Sequence, residues 1–381
     1  MTSAKAVAAR RGLVSELVTG QERLAHRIAA RAQAEIPGYA DLTVTEIEPL
    51  TLRILKHLLA TLAEERAPTS AELQAFREFG AIRGGQGIPL EDILRAWRMS
   101  VREILDEMNT VGRSRQVTDR MLLELTHHLL DTVDHAIPEL SGGHREVELE
   151  RARHDQQARA DFVQAALGGT LGSAELGVRI QRYGLHLDTG YVPFRARPTD
   201  VLSLSDIQQL MTPATARGFT AIIDGDLAGF AERAPESDIP APVGYGPAAR
   251  IDQLQQSFAR ATRALNTAAA YGLTGAHDLG DLGLLPVVLA DAEIGDDLVR
   301  RYLTPLRTND SAQALIETLR CYLDTGQRVE QTAERLFVHP NTVRYRISRF
   351  EELTGADLRQ PGRALELWWA LQREHLNARK R

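Results

Sequence analysis

Cysteine is nearly absent from the 381 residues: Cys321 is the only one. A lone thiol cannot close an internal disulfide, and no cysteine–histidine spacing suggests zinc. With Arg320 and Tyr322 beside it in a helical pattern, Cys321 reads as a small apolar packing residue in a reducing cytoplasm. Long apolar runs are missing too, so the expectation is a cytoplasmic protein rather than an integral membrane one. The opening "MTSAKAVAARRGLVSELV" has no clean signal-peptide core and runs straight into an amphipathic pattern. No cofactor motif stands out, and no constellation of polar residues marks a metabolite pocket.

What is present is ordinary globular material in an unusual distribution. A chain of this length exceeds one ordinary core and implies two or three domains. The formal net charge is −6, yet residues 311–381 hold 12 Lys+Arg against 9 Asp+Glu. A basic C-terminal module on an acidic body suits one end meeting a polyanion.

Residues 1–140 read as a helical bundle. Leu13, Leu17, Leu24, Ile28 and Ala32 form one core-facing stripe, ended by Pro37-Gly38, and Ile47, Leu50, Ile54, Leu58 and Leu62 form the next. "PTSAELQAFREFGAIRGGQG" starts with a Ser70 cap, and "PLEDILRAWRMSVREILDEM" opens with proline and two carboxylates. "VTDRMLLELTHHLLDTVDHAI" completes about five helices. Glycine-rich "RGGQG" lacks the preceding strand and following Lys-Ser/Thr of a phosphate loop, so it reads as a turn. His127, His128, Asp131 and His135 fall within two turns but match no metal-ligand motif. No metal is expected, and Trp97 belongs to the core.

Residues 141–168 begin at a flexible break, "SGGH", and continue as a highly charged helix. A solvated connector and a signalling or dimerising helix both fit that pattern. From 169 to 292 the period changes. "YVPFRA", "FTAIIDGDLAGFA" and "PAPVGYG" read as strands, with Asp224-Gly225 as a hairpin turn. Asp224 and Asp226 are assigned to turn chemistry rather than to a metal. "IDQLQQSFARATRALNTAAAYG" is an amphipathic helix closed by Gly272. Residues 293–381 are helical throughout. The expected fold class is therefore multidomain and mainly α: a helical bundle, a central α/β domain and an all-α C-terminal domain.

"VHPNTVRYRI", residues 338–347, carries the sharpest signal. On a helix started by Pro340, Val343, Ile347 and Phe350 fall on one narrow face. Asn341, Tyr345 and Ser348 lie almost opposite, flanked by Thr342 and Arg349 on one side and Arg344 on the other, while Arg346 sits nearer the core edge. The preceding "VEQTAERLFVH" puts Val329, Ala333 and Leu336 on one face. Helix, tight turn and polar-faced helix form either a helix-turn-helix or an ordinary helical hairpin. Phe337 stands at the turn position where such motifs commonly place glycine.

"LIETLRCYLDTGQRVEQTAERLFVHPNTVRYRISRFEELTGADLRQPGRALELWWAL" resembles the C-terminal helix-turn-helix of PucR/CdaR-type bacterial transcriptional regulators, with motif spacing intact over nearly sixty residues. The resemblance implies that Asn341, Thr342, Arg344 and Tyr345 approach bases and that His339, Arg346 and Arg349 approach phosphates of double-stranded DNA. Residues 170–290 are similar to the degenerate GGDEF-like domain of these regulators. "IIDGDLAG" stands where a diguanylate cyclase carries its signature, so no enzyme activity is expected. Residues 10–140 look like the helical N-terminal domain of RsbR-type stress-signalling co-antagonists, which implies a sensory or interaction role. A homo-oligomeric, cytoplasmic DNA-binding regulator without cofactors, answering an unidentified small molecule or protein, is the resulting expectation. The competing readings are a signalling scaffold without DNA binding and a nucleotide-signalling enzyme.

Overall fold

The computed structural model describes residues 2–211, 219–235, 238–308 and 311–379. The fold is mainly α and multidomain, with fifteen α-helices and five β-strands among the described residues. Contacts divide the chain into two units, residues 1–156 and 157–381.

In the first unit, α1 (Thr2–Thr19), α2 (Gln21–Glu35), α3 (Val44–Glu64), α4 (Ser70–Gly85) and α5 (Leu90–Ser114) surround one apolar core with the first part of α6 (Asp119–Gly168). The stripe read as one helix from Leu13 to Ala32 is broken at Gly20, and both pieces keep the same inward face: Leu13, Leu17, Leu24 and Ile28 are all buried. Trp97 belongs to this core, with its ring edge-on to Phe76 at 5.8 Å. The cap of α4 is Thr69, not Ser70. Thr69 Oγ1 accepts from the Glu72 N–H at 3.3 Å, and the Thr69 N–H donates to Glu72 Oε2 at 2.7 Å, a reciprocal box that only the earlier residue can close.

Glu72 is further gripped by both terminal nitrogens of Arg66, at 2.6 and 3.0 Å. These bonds, opposed by burial and helped by Thr69, hold its carboxyl down to about 2 from an ordinary 4.5. A depressed folded-state value stabilises the fold above the unfolded value, and that stability is lost as pH falls from about 4.5 towards 2. Glu72→Gln should flatten the acid limb of the melting temperature between those values. An unchanged acid limb would show that the contact contributes nothing.

The expected break at Ser141-Gly142-Gly143 does not exist: α6 runs unbroken from Asp119 to Gly168. Gly143 is there for proximity instead of flexibility. A Cβ on it would lie under 3.0 Å from the Arg77 carbonyl of α4, and one on Gly80 would strike the Leu140 carbonyl of α6. The two helices therefore cross backbone against backbone. Arg77 spans the crossing to Glu139 and Glu146, and Arg151 donates to the Gly84 carbonyl at 2.9 Å. Gly84 and Gly85 of "RGGQG" accordingly lie in the last turn of α4, and Gln86 and Gly87 make the turn.

The second unit holds a five-stranded sheet in the order β2-β3-β1-β4-β5, where β1 is Val192–Ala196, β2 Thr220–Ile223, β3 Asp226–Ala231, β4 Pro242–Tyr245 and β5 Gly275–His277. All neighbours are antiparallel except β4 and β5. Asp224 and Gly225 both take positive φ, 51° and 83°, as a two-residue turn between β2 and β3 requires. Asp226 is not a turn residue: it opens β3, is 3% exposed, and binds Arg195 and Arg197. Around the sheet lie α7 (Ser173–Tyr183), α8 (Leu204–Met211) and α9 (Leu254–Tyr271), α9 packing across β1 and β4.

The remaining helices are α10 (Leu285–Ala290), α11 (Ala292–Tyr302), α12 (Ala312–Asp324), α13 (Val329–Leu336), α14 (Pro340–Thr354) and α15 (Pro361–Arg379). α15 ties them to the sheet region. Arg373 binds Asp296 of α11 at 2.8 Å, and the His375 ring stacks on Tyr271 of α9 at 5.9 Å.

Candidate nucleic-acid interface

α12, α13 and α14 pack on one another. Val343 and Phe350 are fully buried, and Ile347 is half-buried against the cluster that Phe350 forms with Leu319, Leu367 and Leu371. This is the inward face expected of α14. On α13 the buried pair is Thr332 and Ala333, with Val329 and Leu336 only half-buried. Thr332 is tolerated inside because its hydroxyl donates to the Arg328 carbonyl at 2.7 Å and meets the Thr325 hydroxyl at 2.8 Å. Sequence periodicity passed over it as polar.

The expected contact residues differ in exposure and in partners. Asn341, Arg344 and Tyr345 are exposed, Tyr345 to 69%, and Thr342 is half-buried beside them. His339 is the N-cap of α14, its Nδ1 accepting from the Asn341 N–H at 3.2 Å, so its ring is fixed at the helix entrance. All three arginines, the exposed Arg344 included, are engaged within the module. Arg344 donates to Asn341 Oδ1 at 3.1 Å and to Glu330 Oε1 of α13 at 2.8 Å. Arg346 turns back to the buried Thr318 of α12 at 2.9 Å, and Arg349 binds Glu352 at 3.0 Å.

These arrangements have different meanings for an incoming polyanion. The Arg344–Glu330 pair is about half exposed on both sides, so little holds it closed against a competing ligand. Arg346 is anchored inside the module, where its bond to Thr318 links α14 to α12. The positive end of the α14 dipole, no acidic residue in its first turn and a polar outward face favour entry of this helix into a groove N-terminus first. Glu351 and Glu352 sit in the last turn, away from that end.

Residues 315–372 match the family model of the PucR C-terminal helix-turn-helix domain. That match takes in all of α13 and α14. Residues 22–159 match the N-terminal domain of the RsbT co-antagonist protein rsbRD. An uncharacterized protein of Mycobacterium tuberculosis H37Rv is 40% identical over 125 residues, 32% of this chain and 29% of that protein. The purine catabolism regulatory protein of Bacillus subtilis is 37% identical over 99 residues, 25% of this chain and 17% of that one. The carbohydrate diacid regulator of Escherichia coli is 38% identical over 92 residues, 23% of this chain and 24% of that one. The chain thus spans less than a third of the length of these relatives. The PucR module and its named relatives support the PucR/CdaR-type assignment.

His128 Nε2 donates to the Thr61 carbonyl at 3.0 Å and His135 Nδ1 to the Asp131 carbonyl at 2.6 Å. Among the described residues no group of metal-ligating side chains converges. Cys321 is buried, and burial pushes its thiol up, away from reactivity. In the first unit a cavity of about 30 Å³ lies between Tyr39, Phe79 and Trp97, room for a water or two. No described helix is long and apolar enough to cross a membrane.

Proposed function

We propose that this chain is a sequence-specific, DNA-binding transcriptional regulator. The observation that carries the reading is the outward face of α14: Asn341, Arg344 and Tyr345 exposed at the capped N-terminal end of a PucR-matched helix. Asn341, Thr342, Arg344 and Tyr345 are the base-contacting set, with Arg344 placed for bidentate contact to guanine once it leaves Glu330. His339 and Arg349 meet phosphates, and Arg346 does so with the edge of its guanidinium that Thr318 does not occupy. One small module offers few contacts, so the working form is a homo-oligomer, at least a dimer, on a quasi-palindromic or direct-repeat site.

Residues 1–140 and the degenerate GGDEF-like 169–292 receive a small-molecule or protein signal, 141–168 connects them, and 293–381 is the DNA-binding domain. The middle domain works by binding rather than catalysis, in the cytoplasm. Genome-wide recovery of DNA bound by the full-length protein tests the reading, followed by anisotropy titration on a recovered site at several salt concentrations. Selective binding that weakens steeply with salt is the expected result. Equal affinity for recovered and scrambled DNA, or a monomer by light scattering with and without the site, overturns it. Arg344→Ala should cost about 1–3 kcal/mol of discrimination at one base pair with little change elsewhere. Uniform weakening across all sequences would assign Arg344 to phosphate instead.

A further inference from the structure

Phe337 is placed against its own chemistry twice. α13 closes with the Phe337 N–H donating to the Glu334 carbonyl at 3.2 Å and the Val338 N–H to the Ala333 carbonyl at 3.0 Å. This double closure needs a left-handed residue at the Phe337 position and is usually met by glycine. Phe337 adopts φ 55°, where a Cβ crowds the next carbonyl. The ring gains nothing within the protomer, because the residue is 96% exposed, the highest value of any large hydrophobic among the described residues. Glycine would remove the strain and the exposure together.

The surroundings of the ring select its partner. Phe337 precedes Pro340 by three residues, so its Cα lies within about 11 Å of the start of α14 and of that helix's positive end. Arg335, two residues back in the last turn of α13, is exposed and has no ion pair among the described residues. An apolar protein surface would have to strip water from these charges, whereas a duplex is drawn to them. The apolar group that a duplex displays in its major groove is the thymine C5-methyl, which aromatic side chains contact. We propose that Phe337 packs on a thymine methyl at the edge of the operator and so extends readout beyond the face of α14.

This inference rests on the regulator reading, and its test separates the two. Wild type, Phe337→Gly and Phe337→Asn of the full chain are titrated on a recovered site and on copies in which single thymines are replaced by deoxyuridine, which lacks only the methyl. Wild type should lose about four-fold in affinity at one thymine per half-site, the worth of one buried methyl. Both variants should bind the unmodified site at least that much more weakly and ignore the same replacement. Phe337→Gly should also raise the melting temperature by about 2–4 °C, so weaker binding cannot be put down to misfolding. Variants that bind as tightly as wild type, or weaker binding with no thymine-specific effect in wild type, overturn the contact alone. No selective binding by wild type overturns the regulator reading and the contact together.

Discussion

Gly143→Ala lowers the stability of the first unit by about 3 kcal/mol or more in urea denaturation, although intrinsic helix propensity forecasts a gain of about 1 kcal/mol. The sign is decided by what the new methyl meets. At Gly143 it would sit inside the contact distance of the Arg77 carbonyl and press on the Ala81 nitrogen, both backbone atoms of α4 that no rotamer change can move. Gly80→Ala meets the Leu140 carbonyl of α6 in the same way. Separating the helices to admit either methyl would loosen the Arg77 links to Glu139 and Glu146 and the His144 bond to the Ile88 carbonyl. Gly177→Ala supplies the control: it lies inside α7, exposed, with nothing within 4 Å of the new atom. That substitution should stabilise by up to about 1 kcal/mol. If Gly143→Ala behaved like Gly177→Ala, the close crossing of α4 and α6 would be refuted.

The same glycines mark where sequence reading stops. Periodicity located the helices of the bundle, since Leu13, Ile28, Ile54 and Leu62 repeat at helical spacing and all are buried. It could not tell a glycine that loosens a chain from one that lets two backbones touch, because the partner of Gly143 lies on α4, far away in sequence. The hairpin at Asp224-Gly225 was legible from two residues, because few others accept two successive positive φ angles. Asp226, one step further on, looked like part of the same turn. Its burial follows from Arg195 on β1, and only strand pairing brings the two together.

The candidate interface was legible in direction and illegible in detail. A helical wheel fixes where each Cβ points, and the exposed Asn341 and Tyr345 and buried Val343 and Phe350 follow it. A long arginine ends several bonds from its Cβ. Arg344 therefore finishes on Glu330 and Arg346 on Thr318, partners supplied by α13 and α12. The two arginines of one helix thus end in different surroundings: Arg344 on an exposed carboxylate, Arg346 on a buried hydroxyl.

Asp226→Ala should destabilise the second unit by about 3–5 kcal/mol, the cost of stranding a buried arginine. Arg195 is 8% exposed, its Nε donates to Asp226 Oδ2 at 2.9 Å, and its guanidinium lies 6.0 Å from the Phe258 ring. Without Asp226, its remaining carboxylate is Asp224, which is mostly exposed and bound at 3.1 Å. Arg197 also donates to Asp226, but it is 40% exposed and keeps Asn266, so Arg197→Ala should cost about 1 kcal/mol or less. Replacing both members of the inner pair, Arg195→Met with Asp226→Leu, should recover most of the loss, because a packed apolar pair carries no stranded charge. Urea denaturation of Asp226→Ala, Arg197→Ala, Arg195→Met, Asp226→Leu and the double variant measures the coupling directly. Additive losses in the double variant would show that water reaches Arg195 and that the two side chains are not coupled.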